Sequence, residues 1–256
     1  MIRSDPPTPY APPEGRALWA FTIIGWRWIS RNPASAIAPI LLPFIFLLFL
    51  RLIAPASLFP LEVIGAMLFT TQNVGSWVLG DSATWRIEAG IQDLFVASPM
   101  GKVRYLFGIA LSNLIPAAPA LIVLAGVLAW VDPGISLLAW VVLGTVLFVL
   151  WVLFSSIGIA MSSRLRSQRE IWPVGNLTFT LLGMMAPLYY PLSYLPPLWQ
   201  SAARFLPTTY AALLVQGSTG LVPSSGSSMG FDAALLGVSA LVGIAIALSI
   251  YRWRDR

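Results

Sequence analysis

The sequence predicts an all-α integral membrane protein with six transmembrane helices. Three observations carry this. Hydrophobic residues make up 57% of the 256-residue chain and charged residues 10%, where soluble domains carry about 25% charge. Six apolar windows, roughly Pro33–Leu52, Leu61–Leu79, Tyr105–Val131, Ile135–Met161, Ile171–Pro191 and Phe231–Tyr251, have the length needed to cross a hydrocarbon layer. Of the fifteen Lys and Arg residues, all except Arg51 and Arg204 fall on one side of those windows. By the positive-inside rule that side is the cytosol, so both termini are expected there, in the cell (cytoplasmic) membrane.

Taken in order, residues 1–13 (MIRSDPPTPYAPP) are Pro-rich, without an apolar core or a small-residue cleavage pattern. They read as a disordered cytosolic tail, not a signal peptide. Residues 14–32 read as an amphipathic interfacial helix. Arg16, Ala20, Arg27, Ser30 and Arg31 share one face, and Leu18, Phe21, Ile24, Trp26 and Trp28 occupy the rest. Asn32-Pro33 separates it from the first span, with Pro33 suited to a first helical position. Residues 33–256 form a single six-span domain. Pro116 and Pro119 are expected to bend the third span, since each removes a helical hydrogen bond.

Between the second and third spans, at about 82–98, a sided cytosolic helix is expected within Trp85–Lys102 (WRIEAGIQDLFVASPMGK). Ile87, Ile91, Leu94 and Phe95 fall on one stripe, and Arg86, Gly90 and Asp93 on an adjoining face. Ser98-Pro99 stops it. A connecting loop needs no sided helix, so a partner pressing on this one from the aqueous side is expected. Outside, the stretch of about 192–230 holds two short apolar pieces, Leu195–Phe205 and Thr208–Gln216, opened by Pro196-Pro197 and by Pro207. They are too short to cross and read as re-entrant. A Ser- and Gly-rich linker, Gly217–Gly230, leads to the last span and is expected to be mobile.

The chemistry absent from the sequence narrows the function. Without Cys or His, thiol chemistry and the usual zinc, copper and haem ligands drop out. Gly101-Lys102 lacks the upstream glycine and the following hydroxyl residue of a phosphate loop, and neither HExxH nor GxSxG occurs. No catalytic residue, metal ligand or cofactor site is therefore assigned to the chain. Asp81 and Asp93 read as solvated acids at a helix start. Glu62, Arg51, Asp132 and Asp232 are placed at external span ends, leaving Gln72, Asn73, Ser112, Asn113, Ser155, Ser156, Asn176 and Thr178 as neutral deep residues. These serve interhelical hydrogen bonds or line a polar cavity. A stand-alone secondary transporter or channel, the alternative reading, would need a coupling-ion site or selectivity ring that the sequence does not display. A membrane-embedded enzyme or assembly factor has less still to rest on.

Three motifs in order along the chain resemble the permease (transmembrane) subunit of type-2 ATP-binding-cassette (ABC) exporters. Ile29-Ser30-Arg31-Asn32-Pro33, with Pro39 and Pro43, is similar to that family's approach to its first span. Glu88-Ala89-Gly90-Ile91-Gln92-Asp93-Leu94, ending Ala97-Ser98-Pro99, is similar to its coupling helix. Tyr190-Pro191-Leu192, then Leu195-Pro196, Trp199 and Leu206-Pro207-Thr208-Thr209-Tyr210, is similar to its external re-entrant pair. The chain departs from the pattern at Thr84-Trp85, less charged than usual, and at Ala186-Pro187, where Ser-Gly is common.

The resemblance implies a homodimer of permease chains docked on two copies of a separate ATPase subunit, which would hold the ATP and Mg. Contact with that ATPase is expected through Arg86, Glu88, Gly90, Asp93, Leu94, Ser98 and Pro99. Arg16, Trp26, Arg27, Trp28 and Arg31 are expected to hold the interfacial helix against membrane lipid. Tyr190, Pro191, Pro196, Trp199, Pro207 and Tyr210 are expected to shape the external region. The resemblance implies export of a hydrophobic or amphipathic substrate, a drug, lipid, glycolipid or polysaccharide, and no nucleic-acid partner. Tyr189, Tyr190, Tyr194 and Trp199 would suit such cargo by stacking and suit the membrane interface equally.

Overall fold

The computed structural model describes residues 14–31, 33–87, 90–222 and 228–253, the side chains of 14–17, 28–29, 33–36, 38–40 and 168 excepted. The expected tail, Glu88, and the side chains of Arg16 and Trp28 lie outside the described residues. Ten α-helices are present among those residues: α1 (Glu14–Arg31), α2 (Pro33–Ile53), α3 (Phe59–Ile87), α4 (Ile91–Ala97), α5 (Lys102–Val131), α6 (Leu137–Ser162), α7 (Gln168–Met185), α8 (Pro197–Ala203), α9 (Pro207–Thr219) and α10 (Met229–Ile250). Three of them, α5, α6 and α10, are by length and composition able to cross a membrane, and α2 adds the apolar stretch Leu41–Ile53.

The remaining long helix, α3, is polar for a physical reason. It is the central element, packed on α2, α5, α6, α7 and α9, and its polar side chains turn toward those neighbours instead of lipid. Gln72 Nε2 donates to the Phe179 carbonyl of α7 at 2.7 Å, and Ser82 and Ser162 of α6 share a hydroxyl bond at 2.9 Å. Asn113 of α5 donates to Asp81 at 2.9 Å. The expected interhelical role of the neutral polar residues therefore holds for Gln72 and Asn113, whereas Ser112 and Ser156 bond carbonyls of their own helices. At the α3–α6 crossing the two backbones meet at Gly75 and Gly158, with the Phe179 ring of α7 alongside. A Cβ on Gly75 would stand 2.5 Å from the Phe154 carbonyl oxygen, and one on Gly158 would meet the Gly75 carbonyl. Small residues at such a crossing let backbones approach closely.

Helix starts follow the sequence. Ser136, Ser167 and Ser228 cap α6, α7 and α10 by accepting from backbone N–H groups at 3.2 Å, the role short hydroxyl side chains fill best. Prolines open α8 and α9 as expected. Pro116 and Pro119 leave α5 a single helix. Pro116 lacks the N–H that would bond the Ser112 carbonyl, and that carbonyl instead faces α1. A Cβ on Gly25 would stand 2.6 Å from it.

Three expectations need correction. The helix expected at about 82–98 is two pieces. α3 continues to Ile87, and α4 begins only after Gly90, whose φ of 57° and ψ of 12° are left-handed and cannot continue a right-handed helix. The fifth span, expected to reach Pro191, ends its helix at Met185. Ala186 is extended (ψ 143°), as a residue before proline is biased to be. The apolar face of α1 is divided rather than uniformly turned to lipid. Phe21 is fully buried over Gly108 of α5, while Trp19 and Trp26 are exposed. Phe21 over Gly108 and Gly25 over Ser112 are one turn apart on both helices, so α1 runs alongside α5 there in the same direction.

Candidate functional site

Two surfaces carry the expected functional residues. The first is α4 and its surroundings. Its sequence partitions by face: Gly90, Asp93, Leu94 and Ala97 are exposed, while Gln92 is buried and Phe95 half-buried. Positions spaced three and four apart share one side of a helix, so the exposed set forms a continuous ridge bearing one carboxylate and one large apolar side chain. Leu94 is 72% exposed. That reverses its expected place beside Ile87 and Phe95. The left-handed residue at Gly90 resets the wheel, so a stripe projected from Trp85 does not carry through it.

The buried side of α4 is aromatic. Phe95 stacks on Phe21 of α1 at 5.2 Å and on Trp85 of α3 at 6.4 Å, and lies 5.2 Å from Tyr105 of α5. Neighbouring rings at such separations add to the burial of their area. Pro99 is exposed beside the ridge. Ser98 turns inward, donating to the Phe95 carbonyl at 2.7 Å and accepting from Met100 N–H at 3.2 Å, and so shapes the exit from α4. Arg86 does not join the ridge either. Its Nη2 donates to the Ser162 and Leu165 carbonyls at 2.6 and 2.8 Å, fastening the end of α3 to the end of α6. Of the expected contact residues that are described, Gly90, Asp93, Leu94 and Pro99 thus face outward, and Arg86 and Ser98 support them.

The second surface is a cavity of about 560 Å³ between α2, α3, α7 and the segment after α7. Phe46, Phe69, Trp77, Tyr189 and Tyr190 supply aromatic walls, Thr70, Asn73, Asn176 and Thr180 a neutral polar strip, and among the described residues no ionisable side chain other than the two phenols lines it. Tyr189 meets Phe46 edge-on at 4.8 Å. Its place is fixed from behind, because Leu188 and Tyr189 lie against Gly65 of α3, and Gln216 of α9 donates to the Pro187 carbonyl at 3.2 Å. The four tyrosines and tryptophans singled out near the outside therefore divide: Tyr189 and Tyr190 line the cavity, whereas Tyr194 and Trp199 are exposed. Pro191 and Pro196 stand at the ends of the Leu192–Tyr194 turn and α8, Pro207 opens α9, and Tyr210 donates its hydroxyl to the Arg204 carbonyl at 2.6 Å, closing the α8–α9 turn. The cavity is the feature sequence reasoning missed. Its walls come from three helices and the segment after α7, and only the depth of Asn73 and Asn176 in the spans pointed to it.

The sequence profile of the ABC-2 type transporter family matches residues 16–218, from α1 through α9. The chain belongs to that family. It is an integral, multi-pass membrane permease domain, which lacks the ATPase and is not itself an enzyme; permeases of this kind work with ATPase subunits. No curated protein matches the chain.

Proposed function

We propose that this chain is the membrane half of an ATP-driven exporter whose α4 ridge receives a separate ATPase subunit. The observation that carries the reading is the exposed set Gly90, Asp93, Leu94 and Ala97 on a helix whose reverse side is locked into the bundle. A ridge backed by packed rings passes a push onward instead of yielding to it. In this reading α2, α3, α5, α6, α7 and α10 are the six spans, and α4 and both termini are cytosolic. Two ATPase copies, carrying ATP and Mg, serve a homodimer of this chain.

Cargo is hydrophobic or amphipathic and uncharged where it meets the cavity. The space lies within the ~300–1,000 Å³ usual for small-molecule sites, and aromatic walls beside a few neutral donors favour apolar bodies with an occasional hydroxyl or carbonyl group. Beside it, α2 and α7 expose Leu41, Leu42, Ile45, Leu48, Leu177, Leu181 and Met184. Those faces are proposed to meet the second chain, closing the cavity from the side.

Leu94→Asp tests the docking reading. Covering a leucine contributes about 1.5–3 kcal/mol, so losing it should weaken the permease–ATPase complex at least tenfold, measured by co-purification from lipid. Asp93→Lys should weaken it less, because an exposed charge contributes to orientation more than to affinity. Undiminished binding by Leu94→Asp would sink the reading.

A further inference from the structure

We infer that Gln92 is a positioning residue that ties the end of α10 to α4, so that a partner pressing α4 moves the last helix directly as well as α3 and α5. The inference rests on the proposed docking role of α4.

Gln92 is the one buried residue of α4, at 4% exposure. Burying an amide is costly unless its polar atoms are bonded. Here both ends are used, and always by the same short segment. Nε2 donates to the Arg252 and Trp253 carbonyls at 2.8 and 3.3 Å, and Oε1 accepts from the Tyr251 hydroxyl at 2.8 Å. Lys102, at the start of α5, donates Nζ to the Leu248 and Tyr251 carbonyls. The last carbonyls of a helix have no donors of their own, and helices commonly satisfy them with a residue a step or two further on. In this chain the Tyr251 N–H keeps a local bond to the Ala247 carbonyl, the carbonyls of Leu248 and Tyr251 take their donor from Lys102, and Gln92 holds the carbonyls of Arg252 and Trp253 just past the helix. The local bond closes α10 upon itself, and the side-chain bonds fasten its end and the residues just after it to α4 and α5.

Aromatic packing surrounds the fastening. Tyr105 lies 5.0 Å from Trp253 and 5.2 Å from Phe95, bridging the end of the chain to the reverse side of α4. From there α10 packs along α6 and against α9. Displacement of α4 would therefore reach the opposite end of the bundle by a route that does not pass through α3.

The chain has no cysteine, so spin labels at Val96→Cys and Arg252→Cys measure the separation of α4 from the end of α10 without interference. The permease, purified with its ATPase subunit in lipid nanodiscs, is compared with and without ATP plus vanadate. One narrow distance, unchanged by nucleotide, is expected when Gln92 is intact. Gln92→Leu should keep ATPase binding yet add a longer-distance population on nucleotide addition, and Tyr251→Phe, which removes a single hydroxyl, should add a smaller one. Nucleotide-driven separation with Gln92 intact, or Gln92→Leu and Tyr251→Phe traces matching it, would overturn the inference. Retained ATPase binding by Leu94→Asp would instead remove the docking role on which it stands, so the two failures are distinguishable.

Discussion

At the scale of single residues, Gly90 decides how α4 is presented. Among the described residues nothing lies within 4 Å of a Cβ built there, but its φ of 57° is one that other residues adopt at a cost. A bulky substitution would therefore confound obstruction of a partner with backbone strain of about 1–2 kcal/mol. Gly90→Asn, which tolerates the left-handed region, should retain ATPase binding, and Gly90→Val should lose it. Should Gly90→Val bind as the unaltered chain does, the turn is not what aims α4. The Gly75–Gly158 crossing behaves differently, because there the neighbour is backbone. Gly158→Ala should destabilise the protein by about 1–3 kcal/mol, read as a lower midpoint of thermal unfolding in detergent. The glycines themselves are plain in the sequence. Which one makes a turn and which admits another helix depends on φ and on neighbours far along the chain.

Among elements, the ones most legible beforehand are those whose signals are local. Pro197 and Pro207 at helix starts, and the apolar lengths of α5, α6 and α10, need no tertiary information. The role of α1 was only half legible. Its wheel gives an amphipathic helix, but the burial of Phe21 arises because Gly108 leaves space on α5, 87 residues later. Phe21→Ala should consequently do more than weaken membrane attachment. Removing a fully buried ring costs about 3–5 kcal/mol, and Phe95 and Trp85 lose their stacking partner. The expected outcome is faster proteolysis around residues 14–31 and weaker ATPase binding together. Faster proteolysis with undiminished binding would show that α1 does not brace α4.

For the whole molecule, orientation is read from single cysteines placed where reagents can reach them. Ser82 is fully buried, so a cysteine there would resist reagents from either side. Exposed sites serve better: Ala97→Cys and Arg166→Cys should label from the cytosol, and Leu198→Cys from outside. Labelling of Leu198→Cys from the same side as Ala97→Cys would overturn the six-span reading. Single cysteines at Leu48 or Leu181 should crosslink between chains if the α2 and α7 faces meet a second copy. The membrane class was legible because composition encodes it, and the family because short motifs do. The cavity and the seating of α10 were not, since each brings together side chains from distant parts of the sequence.

Lys102 is the chain's one lysine, and its ammonium sits between two carbonyls at the end of α10. Amine-directed acylating reagents thus have a single lysine target in the whole chain, one whose nitrogen is crowded by its two acceptors, and so less open to attack, while those bonds hold. The protein carries its own chemical indicator: the rate of Lys102 acylation, followed by peptide mass, should rise when α10 lifts away from α5 and fall when it reseats.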